Sequence, residues 1–139
     1  MIAYLDSSVL LRIVLGQPAR LREWASIRQG VASALVEVEC LRTLDRLRFR
    51  LGTPDRDVAS QRETIFRLLE NIDVVEPNRA VLARAAQPLP TELGTLDAIH
   101  LATALLWRDA MRTDLVMATH DSALALAARA HGLGVVGMS

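Results

Sequence analysis

The sequence contains no lysine: all 16 of the basic residues among its 139 are arginine. A lysine nucleophile, a Schiff base and a P-loop lysine are therefore excluded. Genome base composition is a sufficient explanation of the absence itself. The arginines that remain nevertheless suit phosphate, because a planar guanidinium can donate two parallel hydrogen bonds. There is one cysteine, Cys40, so no internal disulfide can form and a reducing compartment is expected. Aromatic residues make up only 4%, which argues against a nucleic-acid platform of stacked rings. No apolar run is long enough to span a bilayer, and no charged leader followed by an apolar stretch opens the chain. The expectation is a cytoplasmic protein without a membrane partner.

What is present is ordinary globular material, 51% apolar and 23% charged, enough for one domain over residues 1–139 with its own core. The formal charge is zero, so any affinity for nucleic acid must come from a local patch. Ile2 to Leu5, Val31 to Ser33, Ile72 to Val75, Leu115 to Thr119 and Val135-Val136 read as short strands. Helical spacing runs over 9–14, 19–28, 35–51, 54–69, 77–86, 95 to about 106 and 122–130. In the third of these segments Val38, Leu41, Leu44, Leu47 and Leu51 form the apolar stripe, and Gly52 ends it. Thr95 reads as the cap of the next long helix, which is apolar almost all round and hence buried. Strands alternating with helices predict an α/β protein with three layers, a short parallel sheet covered by helices on both faces.

Three aspartates fall at strand-to-helix junctions. Asp6 follows the first strand, Asp97 lies in the first turn of its helix, and Asp121 follows the fourth strand after one histidine. Ligands of open α/β sheets bind beyond the carboxyl ends of the strands, where such junctions gather. Carboxylates brought together there repel one another and lose hydration, which raises their pKa values. A divalent cation removes that penalty, and oxygen donors suit Mg²⁺ or Mn²⁺. Such an ion would orient water for attack on a phosphodiester. The plainer reading is that each Asp caps a helix, a role worth roughly 0.5–2 kcal/mol. Serine, threonine or asparagine would cap as well, so aspartate at all three places favours the site. Glu37 and Glu39 compete for a fourth place. Two helical steps turn about 200°, so they cannot both face one site, and spacing leaves the choice open.

The runs Ala3-Tyr4-Leu5-Asp6-Ser7-Ser8, Glu39-Cys40-Leu41-Arg42-Thr43-Leu44, Thr95-Leu96-Asp97-Ala98-Ile99-His100-Leu101-Ala102-Thr103-Ala104 and Ala118-Thr119-His120-Asp121 together resemble the PIN domain. More narrowly they resemble the VapC toxins of toxin–antitoxin pairs, in the family's order and over essentially the whole chain. The resemblance implies the three-layer PIN-like fold and an Mg²⁺- or Mn²⁺-dependent endoribonuclease acting on tRNA or rRNA. It also implies a VapB-type antitoxin partner and a homodimer. It carries over Asp6, Glu39, Asp97 and Asp121 as catalytic residues, with Asp6, Asp97 and Asp121 as metal ligands. Glu39 is favoured over Glu37 because a basic residue, Arg42, follows it by three. Ser7, Thr119 and Arg42 match supporting positions.

Other signals have plain readings. Arg42, Arg46, Arg48 and Arg50 could hold phosphates or an acidic antitoxin segment, or simply solvate a helix face. His100 could donate to the acidic cluster from one turn away, or be a packing histidine with its hydrogen bonds satisfied. His120 could reach substrate, and His131 would complement a helix end. The glycines of Gly132-Leu133-Gly134-Val135-Val136-Gly137 spell a dinucleotide fingerprint but have no helix after them, so that reading fails. A haloacid-dehalogenase phosphatase needs a second Asp where Ser8 stands, as well as a lysine. A receiver domain needs a lysine too. The surviving alternative is a catalytically silent PIN-like module that binds RNA or protein.

Overall fold

The computed structural model describes residues 1–18 and 21–138. In chain order the elements are β1 (Ile2–Leu5), α1 (Ser7–Val14), a 3-10 turn (Arg22–Ser26), β2 (Gln29–Ser33), α2 (Leu35–Leu51), α3 (Asp55–Glu70), β3 (Ile72–Val75), α4 (Arg79–Ala85), α5 (Thr95–Met111), β4 (Val116–Ala118), α6 (Ser122–Ala130) and β5 (Gly134–Val136). The strands form one five-stranded sheet in the order β3-β2-β1-β4-β5, parallel throughout. The helix expected over 19–28 is a correction: only the 3-10 turn forms there, and positions 19 and 20 lie outside the described residues.

Alternation along the strands explains the layers. Ala3, Leu5, Ala32 and Ala118 point to one face, against Val9 and Leu10 of α1, Val36, Cys40 and Leu44 of α2, and Ile65 of α3. Tyr4, Val31 and Met117 point to the other, against Leu101, Ala104 and Leu105 of α5 and Leu124, Ala127 and Ala128 of α6. Both faces are covered, as a parallel sheet requires. Pro54 precedes α3, and Gly52, with φ of 62°, ends α2. That left-handed conformation suits glycine. The buried stripe of α2 is Val36, Cys40 and Leu44, while Val38 and Leu51 of the expected stripe are exposed. No helix among the described residues is long and apolar enough to cross a membrane.

Cys40 shows how tightly the first layer closes. Its thiol is pushed up to about 12, by burial first and then by the charges of Glu39 and Asp6. A thiol reagent at pH 8 is expected to label it only as fast as the chain unfolds. Prompt labelling of the native protein would contradict this packing.

Candidate active site at the carboxyl edge of the sheet

β1 lies at the centre of the sheet. The chain moves from it to β2 on one side and, much later, returns to β4 on the other. The crevice of such a sheet opens at this reversal, beyond the strand ends. Asp6 is the first residue after β1, and its N–H donates to the Ala118 carbonyl at the end of β4 at 3.1 Å. Although Asp6 holds the N-cap position of α1, its side chain caps nothing there. Instead Oδ2 accepts from Ser8 Oγ and from Thr119 Oγ1, each at 2.8 Å. The residue is buried. Two hydroxyls thus fix one oxygen of a buried carboxylate and leave Oδ1 available to a cation.

The same hydroxyls tie the neighbouring loop together. Ser8 Oγ accepts from the His120 N–H at 3.0 Å, and Thr119 Oγ1 accepts from the Asp121 N–H at 3.0 Å. His120 turns Nδ1 to the Gly137 carbonyl at 2.7 Å, away from a role in reaching out to substrate. Gly137 sits at φ 105°, and a Cβ there would stand 2.4 Å from the Thr119 carbonyl oxygen. Only glycine lets the segment after β5 approach Thr119 so closely.

Asp97 and Asp121 differ in how they are used. Asp97 occupies the first turn of α5, whose N-cap is Gly94 and not Thr95 as expected. Asp121 does cap: its Oδ1 accepts from the Leu124 N–H at 2.9 Å at the start of α6. Asp121→Ser is expected to keep that cap and hold stability within about 0.5 kcal/mol, whereas Asp121→Ala should lose roughly 1 kcal/mol. Chemical denaturation of the two variants separates the cap from any role of the charge, since both remove the carboxylate.

Glu39 reaches the cluster from α2. Its Oε1 lies 2.5 Å from His100 Nε2 on α5, joining the two helical layers across the end of the sheet. Glu37 is exposed and lines a separate surface groove with Phe66, Glu70 and Val74. Burial, then the charges of Asp6 and Asp121, push Asp97 up to about 6; His100 opposes the rise and Glu39 adds to it. Asp97 therefore feels the other three acids, and repulsion of this kind is what a cation relieves. Among the described residues no group of three or more His, Cys, Asp or Glu side chains is placed to hold a metal ion by itself. Mg²⁺ keeps several waters and takes as few as one or two carboxylates. In donor chemistry, an all-oxygen set in which Asp97 is raised by its acidic neighbours fits such an ion.

The supporting positions divide. Thr119 is buried and bonded to Asp6, whereas Ser8, not the matched Ser7, supplies the other hydroxyl. Arg42 turns to Asp45 at 3.0 Å and is exposed, so it does not balance the acidic cluster. Arg48 also pairs with Asp45, at 3.4 Å, and lies over the exposed Phe49 ring, while Arg46 donates to Thr43. Spacing did not reveal Ser8 or Tyr4 as site residues. Tyr4 Oη meets His100 Nδ1 at 2.6 Å from 96 positions away.

Comparison with known proteins places the chain in a family. The chain is 34% identical over 140 residues to ribonuclease VapC46 of Mycobacterium tuberculosis, covering 98% of this chain and 97% of that protein. Among solved structures, FitAcB of Neisseria gonorrhoeae superposes with a TM-score of 0.71 at 19% identity, covering 97% and 96% of the two chains. A toxin–antitoxin complex from Klebsiella pneumoniae gives 0.65 at 18% identity, covering 88% and 89%. These two likenesses concern the fold. The family model of the PIN domain matches residues 3–134. With its acids gathered at the strand ends and a VapC relative matched along nearly its whole length, the chain belongs to the PIN domain family and, within it, to the VapC group.

Proposed function

We propose that the protein is a metal-dependent endoribonuclease, the toxin of a toxin–antitoxin pair, whose substrate is a structured RNA such as tRNA or rRNA. The observation that carries the reading is the grouping of acids at the strand ends, where Asp97, raised to about 6 by burial first, also feels the charges of Asp6, Asp121 and Glu39. The relative named a ribonuclease supports it over nearly the whole chain. When bound, Mg²⁺ or Mn²⁺ supplies charge neutralisation and Lewis acidity at the phosphodiester.

The protein's own groups do the rest. Asp6, locked by Ser8 and Thr119, with Asp97 of α5 and Asp121 at the start of α6, would hold the ion. Glu39, held through Oε1 by His100, takes the proton of the attacking water at its other oxygen. Water's oxygen forms the new bond to phosphorus as the bond to O3′ breaks, and O3′ takes a proton from solvent water, leaving a 5′-phosphate and a 3′-hydroxyl. No covalent enzyme intermediate is required.

The partners that follow are RNA, a VapB-type antitoxin and a second copy of the chain. The Klebsiella complex supports the antitoxin by what it is named. The cytoplasm is the compartment in which such RNA is met.

The test is cleavage of a total RNA pool by antitoxin-free protein with Mn²⁺, with Mg²⁺ and with EDTA, alongside Asp97→Asn. Metal-dependent cleavage by the parent alone is expected. A parent that neither cuts RNA nor binds Mn²⁺ by calorimetry would leave the silent binding module as the reading.

A further inference from the structure

Behind Glu39 lies a buried hydrogen-bonded chain that the chemistry above does not use directly. The Ser33 N–H, at the end of β2, donates to Tyr4 Oη at 3.1 Å. Tyr4 Oη is 2.6 Å from His100 Nδ1, and His100 Nε2 is 2.5 Å from Glu39 Oε1. Ser33, Tyr4 and His100 are buried, while the Glu39 side chain is 20% exposed. A chain with one open end, running from a fixed backbone donor to a single carboxylate, is built to orient that carboxylate.

The proton order follows from counting donors. The Tyr4 oxygen already accepts from the Ser33 amide. The Thr103 hydroxyl also lies against it but gives its own proton to the Ile99 carbonyl. The 2.6 Å contact makes His100 Nδ1 the short partner to which the Tyr4 proton goes. An Nδ1 that accepts leaves the imidazole proton on Nε2, aimed at Glu39. The opposite tautomer would set a nitrogen lone pair against a carboxylate oxygen. An imidazolium would carry the Nε2 proton as well, so the contact to Glu39 is a donated one in either charge state.

We propose that His100 is a positioning residue for Glu39: its Nε2–H fixes the carboxylate, and Tyr4, anchored on the Ser33 amide, fixes the imidazole. The kinetic part rests on the nuclease reading; the geometric part does not. The chain joins all the layers at the strand ends, since Tyr4 comes from β1, His100 from α5 and Glu39 from α2. Mutation of a residue that orients a metal-site or catalytic ligand in this way generally costs about 10- to 100-fold in activity.

The first measurement is the imidazole ¹⁵N spectrum of the metal-free protein. At a pH where the imidazole is neutral, His100 is expected to show a protonated Nε2 and a hydrogen-bonded, unprotonated Nδ1. Tyr4→Phe should let the other tautomer appear, and Glu39→Gln should shift the Nε2 resonance. A wild type with the proton on Nδ1 alone, or a Tyr4→Phe spectrum identical to the parent's, would overturn the proposal.

The second measurement is RNA cleavage with Mn²⁺. His100→Leu should lower kcat by about 10- to 100-fold with KM little changed. His100→Gln, whose amide N–H can take the place of Nε2–H, should recover most of that loss. Equal kcat values in folded His100→Leu and His100→Gln would overturn it. If the leucine variant does not fold, Tyr4→Phe carries the kinetic arm, with a smaller loss of kcat at unchanged KM expected and no loss contradicting the proposal. A parent that does not cleave fails the nuclease reading, and the nitrogen spectrum, which needs neither metal nor RNA, then decides the geometry alone.

Discussion

Replacing Asp97 by asparagine is expected to raise the melting temperature of the metal-free protein at pH 8 while lowering RNA cleavage by at least about 10²-fold. The two effects share one cause. Asp97 stands at about 6 in the folded protein against an ordinary 3.8, so folding disfavours its ionised form. Well below pH 3.8 it is protonated both folded and unfolded, and it costs nothing. As pH rises through 4 to 6 the unfolded chain ionises first, and stability declines until the folded carboxyl has also lost its proton. Above pH 6 the full penalty stands, about 1 kcal/mol once solvent screening of this half-exposed group is allowed for. Asparagine removes the charge and hence the penalty. Thermal melts at pH 3 and pH 8 should therefore show the variant level with the parent at the lower pH and ahead of it at the higher. Added Mn²⁺ should stabilise the parent and erase the difference, because a bound ion stabilises only the folded state. A variant that melts lower than the parent at pH 8 without metal would mean that the acids do not crowd one another.

Leu101→Ala is expected to have the largest effect on stability, a loss of about 3 kcal/mol. In a chain of this length that corresponds to a fall in melting temperature of about 10 °C. Leu101 is buried on α5 and packs with Tyr4, Val31, Met117 and Leu124 in the second core. It follows His100 directly and lies one turn beyond Asp97. The cavity would therefore open beneath the helix that carries both residues, in a region where strand backbones on the other side cannot move in to fill it. Urea denaturation measures the loss. A change under 1 kcal/mol would show that α5 settles into the space, and then the placement of Asp97 would not depend on this packing.

Much of the architecture could be read along the chain because each element advertises itself locally. The bounds of α2 were visible in its helical spacing and in Gly52, and those of α6 in Asp121, Ser122 and the glycine at 132. The 3-10 turn at Arg22–Ser26 was not, since a short stretch containing Glu23 and Trp24 carries helical residues without the contacts that lengthen a helix. The apolar face of α2 was misjudged for a related reason. Val38, Leu41, Leu44, Leu47 and Leu51 have helical spacing, but which stripe is buried depends on α1 and α3, and these select Val36, Cys40 and Leu44.

The site divides along the same line. The aspartates at the junctions could be found from local pattern, and placing Glu39 required the resemblance to VapC proteins. Tyr4 could not be singled out, because what gives it meaning is a partner 96 residues away, and Ser8, two residues after Asp6 in sequence, gains its second partner only from His120, 112 residues on. For His100 the packing and donor readings both hold: it is a buried core side chain whose polar atoms are satisfied, and one of its partners is Glu39. Arg42 resembled a partner of the acids by spacing, but Asp45 on the same helix is nearer to hand.

The placement of β1 between β2 and β4 also sets when, during synthesis, the site can exist. Thr119 holds Asp6 across 113 residues of sequence, and the Asp6 amide waits for the carbonyl of Ala118. Contacts at that separation form last as a chain leaves the ribosome, because earlier segments have nothing to close upon. A nascent chain ending before β4 would have Asp6, Ser8, Glu39 and Asp97 but neither the Thr119 hydroxyl nor Asp121. Prematurely terminated copies would lack the assembled site, which closes only as the last two strands emerge.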